Sequence, residues 1–212
     1  MKNKKLFALS GILAPILFFG IVIILGLLEP GYNHATRMMS VLGGVGGMRG
    51  LLFNLGISLI GALVILFAFG LHKNTNNGKG SKIGPILLAI GGFGLILSGI
   101  FHCDLDCANV MVDRNFVGIM HMLSAFIAGL CLSISPFFIF ARFRKDDYWK
   151  KYAVPTLVTG VLANVPGIIL WITVFTSLTI EMDGILQRLG IVFVLIWMEV
   201  VSWKLLLTER ER

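Results

Sequence analysis

The sequence predicts an all-α integral membrane protein, a polytopic bundle of six transmembrane helices with both termini in the cytoplasm. Three observations carry that expectation. Of the 212 residues, 57% are hydrophobic and only 14% are charged, with a mean hydropathy of +0.89; soluble domains run nearer half apolar and about a quarter charged. The apolar residues gather into six runs, each close to the roughly 20 residues that cross about 30 Å of hydrocarbon. The Lys and Arg residues between those runs fall mostly on one side.

The first run covers residues 6–28 and follows Met-Lys-Asn-Lys-Lys. A basic start before an apolar stretch also describes a signal peptide, but this stretch is longer than a signal's apolar core and ends without a small-x-small cleavage site. It therefore reads as a retained span. The others cover residues 51–71, 83–101, 116–140, 152–177 and 184–207. With short connections they fill one membrane domain, residues 1–212, with no room for a soluble module. Pro15, Pro136 and Pro166 fall inside runs and predict kinks, which neighbouring helices in a bundle accommodate.

Orientation follows from counting cations. Lys2, Lys4, Lys5, Lys73, Lys79, Lys82, Arg142, Arg144, Lys145, Lys150, Lys151, Lys204, Arg210 and Arg212 lie on one side, fourteen in all, against Arg37, Arg49, Arg114 and Arg188 on the other. The positive-inside rule places the fourteen in the cytoplasm. Connections 29–50, 102–115 and 178–183 then face outward. The same distribution explains the net charge of +7 without nucleic acid, since the cations sit in loops with no domain to present them.

Lipid supplies no hydrophobic drive between helices, so small and polar residues are expected at helix contacts. In the fourth run Gly118, His121, Ser124, Ala125, Ala128, Cys131 and Ser135 share a face opposite Leu123, Ile127 and Leu130. In the second, Asn54, Ser58, Gly61 and Ala68 form a stripe that reaches His72. Thr156, Gly160, Ala163 and Gly167 do so in the fifth, and Gly84, Gly91 and Ser98 recur every seven residues in the third.

Ionisable groups in or just above hydrocarbon are costly, and most of those here sit at the outer ends of spans. They are His34, Arg37, His102, Asp104, Asp106, His121 and Arg188, accompanied by Ser40 and Gln187. One reading makes His34, His102, His121 and Asp104 an imidazole–carboxylate set for zinc, although no His-Glu-x-x-His spacing supports it. The competing reading is a hydrogen-bonding and helix-capping network at the headgroup boundary. A haem site is disfavoured, because His72 stands alone at the inner edge while His102 and His121 share the outer one. Cys103 and Cys107, one helical turn apart in an outward loop, are open to a disulfide. Glu199, about 16 Å along the sixth helix from Arg188, is either a proton-coupling carboxylate or a structural partner. The Gly43-Gly44 and Gly46-Gly47 pairs lack the Lys-Ser/Thr of a phosphate loop and are expected to let the first outer loop fold back into the bundle.

Several of these segments carry a resemblance. Tyr32 with Ser40-Val-Leu-Gly43, Leu52-Phe-Asn-Leu-Gly56, Gly99-Ile-Phe-His-Cys-Asp104, Gly118-Ile-Met-His121, and Gly184-Ile-Leu-Gln-Arg188 running to Leu195-Ile-Trp197 together resemble a family of prokaryotic membrane proteins, the domain of unknown function 998. The likeness spans nearly the full chain and implies six transmembrane helices in a prokaryotic cell membrane, with no implied activity. Family members commonly carry proline where His102 stands, which leaves Asp104 and His121 as the better shared candidates.

Three functions compete on these residues. The first is a binding or accessory protein with a polar outer pocket for a small molecule or lipid, with Ser40, Asn54, Gln187 and Glu199 as ligand-binding candidates. The second is an intramembrane hydrolase or transferase on lipid headgroups, using Asp104, His121 and Arg188, with zinc as its metal. The third is a small transporter that uses Glu199.

Overall fold

The structure, a computed structural model, describes residues 2–75, 82–103, 115–176 and 181–207. The described residues contain helices α1 (Lys2–Leu28), α2 (Val41–Gly44), α3 (Met48–Asn74), α4 (Ile83–Ile100), α5 (Phe116–Phe143), α6 (Ala153–Thr176) and α7 (Asp183–Leu207), with a 3-10 turn at Lys150–Tyr152 and no strand. All but α2 are long and apolar enough to cross a membrane. Several spans run a turn or so beyond the apolar runs, because helix continues into the polar flanks where its backbone bonds remain favourable. Pro15, Pro136 and Pro166 all lie within continuous helices.

Packing follows chain order. Each span contacts the next, and α1 also packs on α7, so the six form a closed ring. Successive spans run antiparallel. This brings the starts of α1, α4 and α6 together with the ends of α3, α5 and α7 at what we term the terminal end; the ends of α1, α4 and α6, the starts of α3, α5 and α7 and connection 29–47 lie at the loop end.

The closest approaches use glycine. A Cβ on Gly61 would meet the Gly92 carbonyl oxygen, and one on Gly92 would meet that of Gly61. On the other side of α4, Gly94 lies against the backbone of Ser124 and Ala128, and Gly91 against Leu132. Gly11 of α1 sits on Ser202 of α7 and Phe67 of α3. These are the small-residue seams expected where dispersion, not water exclusion, holds helices together. The predicted stripe on α5 is buried at Gly118, His121, Ser124, Ala128 and Ser135, while Leu123, Ile127 and Leu130 are exposed on the bundle surface.

The terminal end is filled. Trp149, 1% exposed, stacks on Phe143 at 4.6 Å between centroids and donates its indole N–H to the Asn74 carbonyl at 3.2 Å. Just within, Phe67 and Trp197 meet edge to face at 6.2 Å, and Trp197 donates to the Thr156 hydroxyl at 2.8 Å. Lys204 lies 4.0 Å over the Tyr148 ring.

Gly61→Leu or Gly92→Leu should force α3 and α4 apart and destabilise the bundle by about 1–3 kcal/mol or more, read as a lower Tm in neutral detergent. Gly20→Leu, where a Cβ meets nothing within 4 Å, should leave Tm nearly unchanged.

Candidate functional site

The loop end is organised by a fold-back of connection 29–47. Gly47, at φ 77°, supplies the left-handed turn by which the chain re-enters α3, a conformation that side chains with a Cβ resist. Val41, Leu42 and Gly43 of α2 are buried, as is Met39. The Asn54 amide holds this segment from α3 by donating to the Gly43 carbonyl at 2.9 Å. Gln187 holds it from α7 by accepting from the Met39 N–H at 2.6 Å. Arg49 closes the rim, reaching the Leu28 carbonyl at 2.7 Å and Glu29 at 3.3 Å.

Arg188 is the main staple. Its Nη1 donates to the carbonyls of His34 at 2.6 Å, Gly184 at 2.8 Å and Arg37 at 3.1 Å. Its Nη2 donates to the Tyr32 hydroxyl at 2.6 Å and meets His34 Nδ1 at 3.1 Å. Gly184 makes the close docking possible, since a Cβ there would strike the carbonyl oxygens of His34, Ala35 and Arg37. The guanidinium fork is thus committed to the protein's own oxygens, and phosphate binding by Arg188 has no support in this geometry. Because guanidinium only donates, His34 Nδ1 must accept, which keeps the imidazole neutral. Burial, and secondly the Arg188 charge, hold its pKa below the ordinary histidine value. Burial pushes the Tyr32 phenol up, against the pull of Arg188.

His121 is buried on α5, with Nδ1 at 2.7 Å from the Phe101 carbonyl and 3.1 Å from that of Ser98. Carbonyls only accept, so Nδ1 carries the proton, and the ring caps the last turn of α4, whose final C=O groups lack helical partners. His102 is exposed, its Nδ1 3.1 Å from the Cys103 carbonyl. Cys103 is buried and disulfide-bonded, while Cys131 is a free thiol on α5. Asp104, Asp106 and Cys107 lie outside the described residues. Among the described residues no three His, Cys, Asp or Glu side chains come close enough to hold a metal ion. His72 is at the terminal end of α3, away from the other histidines.

Inside the ring lies a cavity of about 770 Å³ lined from all six spans, within the roughly 300–1,000 Å³ range of small-molecule sites. On α7 its lining runs from Asp183 to Met198, about 22 Å at the helical rise. The body is apolar, with Phe53, Ile57, Ile60 and Val64 of α3 facing Leu195 and Met198. Polar groups cluster at the loop end: Ser40, Ser98, His121, Thr173, Asp183 and Gln187. The Phe67–Trp197 layer and Trp149 stop it at the terminal end. On one side it is open. Leu130, Ile168, Ile172 and Phe175 both line it and are exposed on the bundle surface, so the cavity reaches the lipid-facing side along the α5–α6 seam. In that seam Ser133 and Asn164 bond each other, Ser133 Oγ to Asn164 Oδ1 at 3.2 Å and Asn164 Nδ2 to the Ser133 carbonyl at 2.7 Å.

Of the sequence candidates, Ser40, His121 and Gln187 therefore share the cavity. Arg188, Asn54 and His34 hold the loop that covers it, and Glu199 stands half-buried on α7 outside the lining. Asp183, Thr173 and the Ser133–Asn164 pair were missed. An amide in mid-span is a signal that could have found Asn164, but Asp183 at the head of the sixth run looks like an ordinary helix start.

Ring and pocket together define a multi-pass helical membrane protein with an internal, laterally open site. Residues 12–204 match the family described as protein of unknown function (DUF998), and the chain belongs to that family. No curated protein and no solved structure matches it.

Replacing Arg188 by Lys keeps the charge and loses the fork. Amides 35–39 should lose about 1.5–3 kcal/mol of local stability, read as lower hydrogen-exchange protection. The His34 contact has a depressed folded-state pKa, so its contribution is fully present above about pH 6.5 and declines as pH falls below that value. Protection factors for the same amides should fall on acidification, and His34→Gln should flatten that dependence.

Proposed function

We propose that this protein is a membrane-embedded binding protein for an amphiphilic small molecule or lipid. The tail lies in the apolar body of the cavity and the polar head at its loop end. The observation that carries this reading is the coincidence of three features in one space: a largely apolar slot about 22 Å long, polar groups clustered at one end of it with the mutually bonded Ser133–Asn164 pair part-way along, and an opening on lipid along α5–α6. An amphiphile already in the bilayer could enter sideways without leaving hydrocarbon. The hydrolase or transferase reading has less support, because Arg188 is occupied and the His121 Nδ1 proton serves α4. The transporter reading would require displacing the Trp197 and Trp149 layers, and Glu199 would act from outside the cavity.

The loop end, on this reading, faces away from the cytoplasm. The fourteen-to-four cation bias supports that placement, and so does the bonded Cys103, since disulfides persist in oxidising compartments.

Gly167 lines the cavity, and a Cβ there meets nothing within 4 Å, so Gly167→Phe should fill the slot without moving a helix. Saturable binding of radiolabelled hexadecanol to nanodisc-embedded protein, above empty nanodiscs, should weaken at least about tenfold in this variant, with Tm retained. Unchanged binding would remove the proposal. In a Cys131→Ser background on intact cells, an impermeant maleimide should label Thr36→Cys and spare Asp147→Cys, both positions being exposed; the reverse pattern would invert the topology.

A further inference from the structure

The charge of the cavity's polar end says which head it takes. Among the described lining residues there is no Lys and no Arg, and Asp183 is the one carboxylate. Arg188, one residue along α7 from the lining residue Gln187, points its donors at the carbonyls of His34, Arg37 and Gly184 instead. A phosphate, sulfate or carboxylate head placed here would meet Asp183 with no Lys or Arg among the described lining residues to offset it. Such an unpaired like-charge contact is unfavourable.

A cationic head meets the opposite situation. One Asp183 oxygen accepts from the Thr173 hydroxyl at 3.2 Å, which steadies the carboxylate and ties the first turn of α7 to the last turns of α6. Gln187 and Ser40 line the same end and offer further oxygens. Trp171 and Phe175, 5.6 Å apart between centroids, also line the cavity on α6. Aromatic faces attract ammonium groups, more strongly where water is sparse. A carboxylate and aromatic rings in the lining of one laterally open apolar slot are a recognition set for an alkyl-ammonium group.

Resting on the binding function above, we infer that the ligand class is a long-chain amphiphile with a protonated-amine or quaternary-ammonium head, selected by Asp183 over anionic and uncharged heads. No covalent step is involved, and Asp183 acts as a counter-ion. The source of the amphiphile, a cationic membrane lipid or an incoming hydrophobic amine, is the same chemistry at this site.

The test uses full-length protein in nanodiscs of digalactosyldiacylglycerol, a neutral lipid without an amine, with radiolabelled hexadecyltrimethylammonium, hexadecanol and hexadecyl sulfate as matched probes and empty nanodiscs subtracted. The expected order is ammonium tightest, alcohol next and sulfate weakest, with roughly tenfold between the first two. Asp183→Asn should bring the ammonium probe to the level of the alcohol and leave alcohol binding intact, which also shows that the variant is folded. To separate the sources, protein from native membranes is extracted and its bound amphiphiles are identified by mass spectrometry. A co-purifying cationic lipid assigns the head to the membrane, and an empty site that fills with added hydrophobic amine assigns it to an incoming compound. If alcohol binds and Gly167→Phe removes it, yet ammonium shows no advantage or sulfate binds as well, the head-group inference fails and the cavity reading stands. If no probe binds above empty nanodiscs, the cavity reading fails and this inference with it.

Discussion

Hydrocarbon solvates a leucine about as well as another leucine does, so nothing in the bilayer squeezes six apolar helices together. What holds this ring is close contact: Gly61 on Gly92, Gly94 on Ser124 and Ala128, Gly11 on Ser202. Each seam brings backbones near enough for dispersion and oriented carbonyls to act, and each occupies one narrow strip of helix surface. A ring built on strips has no need to fill its middle. The cavity follows from the same economy of contact that closes α1 onto α7, and its wall on the α5–α6 side is the one lined by residues that also face lipid.

The two ends of the ring obey different physics. At the terminal end Trp149, Phe143, Phe67 and Trp197 fill the space between helices, and their indole N–H groups are satisfied by Asn74 and Thr156. At the loop end the filling is done by backbone. Connection 29–47 turns inward and presents bare carbonyls, and burying those beside hydrocarbon is costly unless they are bonded. Arg188 answers that need with a single planar cation aimed at two of them, those of His34 and Arg37. An arginine that looked from its position like an anion receptor is therefore part of the lid's foundation.

Among the described residues this arrangement leaves the polar end of the cavity without Lys or Arg in its lining, although Arg37, Arg49 and Arg188 all belong to that end of the molecule. Two of them are turned toward the rim, Arg49 onto Glu29 and Leu28 and Arg188 onto the loop. Asp183, by contrast, starts a helix, where a carboxylate complements the N-terminal dipole, and the packing of α7 on α6 turns it toward the slot. Helix start and counter-ion are compatible roles for one side chain.

Much of this was legible in the chain. Apolar runs of the right length, separated by basic and polar connections, determine six spans, because a backbone in hydrocarbon must satisfy its own hydrogen bonds and helix is the local way to do so. The buried faces of α4, α5 and α6 were legible as well, since small residues recur at helical spacing in Gly84, Gly91 and Ser98 or in Thr156, Gly160 and Ala163. What each polar group at the loop end does was not legible. Whether His121 would ligate or cap, whether Arg188 would meet a ligand or a carbonyl, and whether Asp183 would face water or the slot depend on which helices become neighbours and at what rotation. Tertiary packing alone decides that, because a side chain's partner lies on a segment up to about 150 residues away, as with Arg188 and His34, and no local periodicity encodes it.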